Sequence, residues 1–216
     1  MADPQVIRER AKNRFPSVLL TLLSIIQALA LEVLWSNFSG SDHLWAGGLG
    51  AVIGWLQVSA VFGAIVVVWL FYSSLMMRLV WVPSIRDSIL PFIIGGAEFL
   101  LAEMLSPELR HLWFFLFAGI FGFSTWTSTT IFIRARHDPD NAGLWDDFDP
   151  YGIGALAGPV GVVGLLAVAG IGVWIWGATG LVALFAVGFA NFALIVQILA
   201  IRYFWNKSLG LDQGGD

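Results

Sequence analysis

Between Arg14 and Ser36 the chain reads RFPSVLLTLLSIIQALALEVLWS, an apolar run with a basic flank, and similar runs follow it almost to the C-terminus. The hydrocarbon core of a bilayer is about 30 Å thick and an α-helix rises about 1.5 Å per residue, so about 20 apolar residues make a crossing. Backbone groups in lipid must bond within their own segment or around a closed barrel. The ten-residue alternation of a membrane barrel is absent, which leaves helices. Composition agrees: 58% of residues are hydrophobic and 12% charged, against about 25% charged in ordinary soluble domains.

Six stretches meet the length requirement, at about 15–36, 44–80, 84–105, 107–136, 153–177 and 180–205, with an acidic connector at 137–152. The sequence therefore predicts an all-α, polytopic membrane protein forming one transmembrane domain over residues 1–216. Arg8, Arg10, Lys12 and Arg14 ahead of Ala28-Leu29-Ala30 resemble a cleavable leader. The likeness of residues 17–34 to the internal residues 88–105 makes a retained first helix the expectation.

Residues 17–34 align without a gap on residues 88–105: Ser17 falls on Ser88, Gln27 on Glu98, Glu32 on Glu103 and Leu34 on Leu105. His43-Leu44-Trp45 then opens the second run as His111-Leu112-Trp113 opens the fourth, and Gly54 falls on Gly122. Agreement of scarce polar residues in one order predicts a tandem duplication of a two-helix hairpin. Parallel repeats of this kind occur among transporters.

Lys and Arg placement sets orientation, because basic residues concentrate in cytoplasmic loops. With both termini on one side, that side takes every basic residue except Arg110. Both termini are accordingly expected in the cytoplasm, across a cytoplasmic (inner) membrane. Trp35, Trp45, Trp113, Trp174 and Trp176 are expected at the opposite interface, where amphipathic rings settle.

The chemistry to be sought is sparse. With no cysteine, thiolate metal sites, cysteine nucleophiles and iron–sulfur clusters are excluded. Phosphate-loop, zinc-protease, nucleophile-elbow and dinucleotide motifs are absent, and the basic residues flank spans rather than forming a nucleic-acid face. An enzyme is not expected.

Glu98, near the middle of the third run, is the leading candidate for function, with Glu32 and Glu103 toward the non-cytoplasmic end. Intramembrane carboxyl groups cost a few kcal/mol and usually face the bundle interior or a water-filled path. At about 100° per residue Thr21, Ser24 and Glu32 share a face, with Gln27 at its margin, and this stripe is predicted to line a pathway. His43 and His111 are candidates for a metal or pH-sensing site.

Asp138, Asp140, Gly143, Asp146 and Asp149 fall at positions 1, 3, 6, 9 and 12 of a pattern similar to a calcium loop. Ala142 supplies no oxygen at position 5. Calcium at 138–149 is thus a candidate cofactor. Gly154, Gly158 and Gly161 are expected to let helices or subunits approach closely, with Asn191 and Gln197 bonding across such contacts.

These readings predict a small channel or transporter for protons or small cations that uses intramembrane carboxyl groups and assembles as a homo-oligomer. The alternative is a non-catalytic membrane subunit or scaffold that binds partner proteins or lipids.

Overall fold

The computed structural model describes residues 3–145 and 153–209, and within them the chain is helical with no strand. Helix α1 spans Pro4–Ser39, α2 Asp42–Trp45, α3 Gly48–Arg78, α4 Ile85–Glu103, α5 Arg110–Arg136, α6 Ile153–Trp176 and α7 Leu181–Ser208. Short 3-10 turns occupy Pro107–Leu109 and Pro139–Leu144. Five segments are long and apolar enough to cross a membrane: α1, α3, Pro107–Arg136, Leu156–Trp176 and α7. The sixth long helix, α4, has 19 residues and carries Arg86, Asp87, Glu98 and Glu103.

Local chemistry moves several boundaries from where apolar runs alone put them. α1 starts at Pro4 rather than near residue 15, because Asp3 Oδ1 accepts from Gln5 N (2.9 Å) and proline suits the first turn. Arg8, Arg10, Lys12 and Arg14 therefore ride on a helix. The second run is divided: Gly47 (φ 76°) and Gly48 (φ 74°) turn the chain through the left-handed region between α2 and α3. α3 ends at Arg78, and Asn141 clamps the extended residues beyond it. Its Nδ2 donates to Val80 O (2.6 Å) and Ala135 O (2.8 Å), while its Oδ1 accepts from Val80 N (3.0 Å).

Side-chain bonds show which helix ends lie together. At one end Lys12 of α1 pairs with Asp138, just past α5, and Arg134 of α5 pairs with Asp87 at the start of α4. At the other, Asn37 of α1 donates to Ala102 O of α4 (3.3 Å) and Gln57 of α3 to Met104 O (2.7 Å). Arg110 of α5 joins Gln57 to Ala178, between α6 and α7. Consecutive long helices thus run antiparallel between a basic end and a tryptophan end.

The apolar interior falls into two clusters. One surrounds Trp113, Phe114 and Phe117, and the other joins Leu23, Tyr72, Trp81, Ile94 and Ile131 at the basic end. Trp113 corrects the interfacial expectation: it is wholly buried, stacked on Phe117 with ring centroids 4.8 Å apart. Trp35, Trp45, Trp174 and Trp176 are exposed. Helix α3 rests on α1 and α7, α5 on α6, and α1 on α4.

Candidate functional site

The α1–α4 seam is set by a glycine. A Cβ on Gly95 would stand 2.0 Å from Ile26 Cγ2, so only glycine lets the two helices come this close. One residue along α1 and three along α4, Gln27 Nε2 donates to Glu98 Oε1 (3.1 Å) and Oε2 (3.2 Å). Glu98 is 0% exposed and Gln27 4%. Gln27 is the only hydrogen-bond partner of that carboxyl group among the described residues. At about 1.5 Å per residue, Glu98 lies about 7 Å along the axis from the end of α4 at Glu103.

The surroundings are apolar, with one exception. Leu23 and Ile94 stand one turn from Gln27 and Glu98 toward the basic end, in the same buried cluster as Tyr72. Tyr72 is buried and its hydroxyl has no partner. A cavity of about 400 Å³ lies between α3, α5, α6 and α7, but neither Gln27 nor Glu98 lines it.

The other pathway candidates do not gather around Glu98. Thr21, Ser24, Glu32 and Glu103 are all exposed. Thr21 Oγ1 donates to Ser17 O and Ser24 Oγ to Leu20 O, each at 2.8 Å, which satisfies these hydroxyls on their own helix. The predicted stripe therefore faces outward, and Gln27, placed at its margin, is the member that turns inward. Glu103 closes α4 and Glu32 lies seven residues before the end of α1, both toward the tryptophan end.

His43 and His111 form no metal cluster, since no three His, Cys, Asp or Glu side chains converge among the described residues. In the acidic connector, Asp138 lies 2.6 Å from Lys12 Nζ and Asp140 lies 3.5 Å from it, so a lysine holds positions 1 and 3 of the calcium pattern. Burial raises the pKa of Asp138, but the Lys12 hydrogen bond and charge outweigh it and hold the carboxyl below its ordinary value. Asp146 and Asp149 lie outside the described residues.

The glycine expectation shifts as well. Gly158 and Gly161 are exposed with open space where a Cβ would be, and Gly154 heads the same helix. The tight contact of α6 with α5 is instead at Gly170, where a Cβ would meet Phe114 Cβ at 3.1 Å and His111 O at 3.2 Å. Asn191 Nδ2 donates to Leu56 O (2.9 Å), which ties α7 to α3 and not across a glycine contact of α6. Gln197 lines the cavity.

Two polar groups were not singled out from the sequence. Arg110 is 0% exposed; its Nε donates to Gln57 Oε1 (2.8 Å), an Nη donates to Ala178 O, and the other Nη is unpaired. Asp87 is 2% exposed and receives both Arg134 Nη atoms at 2.7 and 2.6 Å. The legible signal was Ser84 three residues ahead of Asp87, a helix-start pattern. Ser84 N donates to Asp87 Oδ2 at 2.7 Å.

No family model matches the chain, and no curated protein or solved structure matches it.

Proposed function

We propose that the chain is a small integral-membrane transporter for protons or small cations in which Glu98 takes up and gives up a proton. The observation that carries this reading is the Gln27–Glu98 pair, a fully buried carboxyl group bonded to a neutral amide. An arginine or lysine in place of Gln27 would lock the carboxylate in its charged form. A glutamine bonds to either form, donating to a carboxylate through its N–H or accepting from a carboxylic acid through its oxygen. Intramembrane ionisable groups with such poised partners mark proton relays.

Both members of the pair are closed off from solvent, so exchange requires α1 and α4 to part. That favours a carrier over an open pore. The buried, unpaired hydroxyl of Tyr72 offers a relay position toward the basic end. We count α4 as a sixth span because it runs between the same two ends as its neighbours. The concentration of Lys and Arg at one end puts the termini in the cytoplasm.

Proton uptake by proteoliposomes under an imposed potential tests the proposal. Wild-type protein is expected to acidify the lumen and Glu98→Gln to lose that flux while keeping its fold. Equal flux from both proteins would overturn the reading. Absence of flux from both, with co-purification of a defined membrane partner, would place the chain as a non-catalytic subunit.

A further inference from the structure

The cavity between α3, α5, α6 and α7 has a chemical character of its own. Its volume, about 400 Å³, falls in the range of small-molecule sites, roughly 300–1,000 Å³. Ala64 and Arg78 both line it, and fourteen residues of α3 separate them. It therefore extends about 21 Å along the helix axis, at about 1.5 Å per residue. The shape is long and narrow.

One side is hydrocarbon, represented by Phe71, Phe121 and Leu194. The α5 wall carries hydroxyl groups already committed as donors: Ser128 Oγ and Thr129 Oγ1 each give a hydrogen bond to Thr125 O at 2.8 Å. These oxygens are left with lone pairs only. Gln197 stands on α7.

Arg78 closes the basic end of the cavity. It is half-buried, its Nε is fully enclosed without a partner, and it forms no ion pair among the described residues. None of the described acids of that end pairs with Arg78: Asp87 is held by Arg134, Asp138 and Asp140 face Lys12, and Asp3 caps α1. An enclosed guanidinium N–H without an acceptor is costly, whereas a carboxylate or phosphate would meet the group in a bidentate, charge-assisted pair. The cavity thus offers a cationic end and a long apolar barrel, the complement of an acyl chain with an anionic head.

We infer that this cavity binds a single-chain anionic amphiphile, its head on Arg78 and its chain running toward Ala64 and Phe117. Glu98 does not line the cavity, and the inference stands or falls without the proton-transfer reading. Both a fatty-acid carboxylate and a lysophospholipid phosphate have this chemistry, and competition separates them.

The test is saturable binding of radiolabelled palmitate to the full chain in nanodiscs of zwitterionic lipid, with empty nanodiscs as background. One site per chain is expected, not displaced by 1-hexadecanol, which has the same chain and no charge. Arg78→Gln is expected to weaken binding at least tenfold, Arg78→Lys to restore much of it, and Ala200→Phe to abolish it by filling the barrel away from the charge. Circular dichroism and gel filtration establish that each variant is folded; should Arg78→Gln not fold, the Lys and Phe variants carry the test. Displacement of palmitate by lysophosphatidate at lower concentration than by unlabelled palmitate would identify the head as phosphate, and the reverse as carboxylate. No saturable binding, equal displacement by 1-hexadecanol, or unchanged binding in folded Arg78→Gln or Ala200→Phe would overturn the inference.

Discussion

The side-chain amide of Gln27 meets the carboxyl group of Glu98, and these two residues occupy the same column when residues 17–34 are set against residues 88–105. In a self-complementary interface, residues near a twofold axis touch their own counterparts. The duplication we propose from the sequence would produce such a contact if a pseudo-twofold axis passed between α1 and α4. On that reading the two copies differ at this column, an amide in one and an acid in the other, and the pair they form is polar and buried.

The α1–α4 seam is expected to be intolerant of bulk at Gly95. Ile26 is β-branched and stiff at χ1 on a helix, so its methyl group, 2.0 Å from the site of a Cβ, cannot swing aside. Gly95→Leu is expected to cost roughly 1–3 kcal/mol through overpacking. Adding Ile26→Ala is expected to recover part of that loss. Thermal unfolding in detergent, followed by circular dichroism, measures both; an unchanged midpoint for Gly95→Leu would contradict the packing argument.

Arg134→Gln leaves the Asp87 carboxylate buried beside Ser84 and Trp81 with no cation. Breaking one side of a buried pair costs about 3–5 kcal/mol, the lower end being apt because Arg134 is partly exposed. The double variant Asp87→Asn/Arg134→Gln is expected to be less destabilised than the two single changes summed, because no orphaned charge remains. A double-mutant cycle of unfolding free energies shows whether the residues are coupled.

Stability should also depend on acidity through the Lys12–Asp138 contact, 2.6 Å long. The folded-state pKa of Asp138 lies below its ordinary value, chiefly because the Lys12 bond and charge prevail over burial. A depressed carboxyl pKa contributes stability that is complete above the unfolded value, about 3.9, and is lost as pH falls through the folded one. Wild-type protein is therefore expected to lose stability below about pH 4. Asp138→Asn should be less stable at neutral pH and show a flatter acid limb. Parallel curves for the two proteins would count against the contact.

Gln57 is expected to matter out of proportion to its size, since its Oε1 is the side-chain acceptor for the buried Arg110 Nε. Gln57→Leu also leaves Met104 O without its side-chain donor. A lost bond to a buried charge costs about 1.5–3 kcal/mol. Gln57→Glu, which hands the guanidinium a carboxylate, is expected to retain more stability than Gln57→Leu. The order of unfolding midpoints decides it.

The helical membrane class was legible because the length and apolarity of a crossing segment leave few alternatives. Boundaries were less so. The double glycine at 47–48 divides an apolar run that hydropathy reads as continuous, and the Asp3 cap extends α1 past its apolar stretch. Glu98 stood out as a lone acid among Ile, Leu and Phe, and the alignment named Gln27 beside it. The inward face of α1 was misjudged because Thr21 and Ser24 count as polar in sequence yet satisfy their hydroxyls on their own backbone. Arg78 and Arg110 both sit next to helix ends, where snorkelling to the headgroups is the ordinary reading. Their burial depends on neighbours from distant parts of the chain.

Whether the Glu98 carboxyl group gains and loses a proton inside the bundle, as we propose, is decided by infrared difference spectroscopy of the reconstituted protein. Across a pH titration, wild-type protein is predicted to show a carboxylic-acid carbonyl band that comes and goes, shifted by Gln27→Leu and missing in Glu98→Gln. A wild-type spectrum with no titrating band that depends on Glu98, over the whole range in which the protein stays folded, would contradict it.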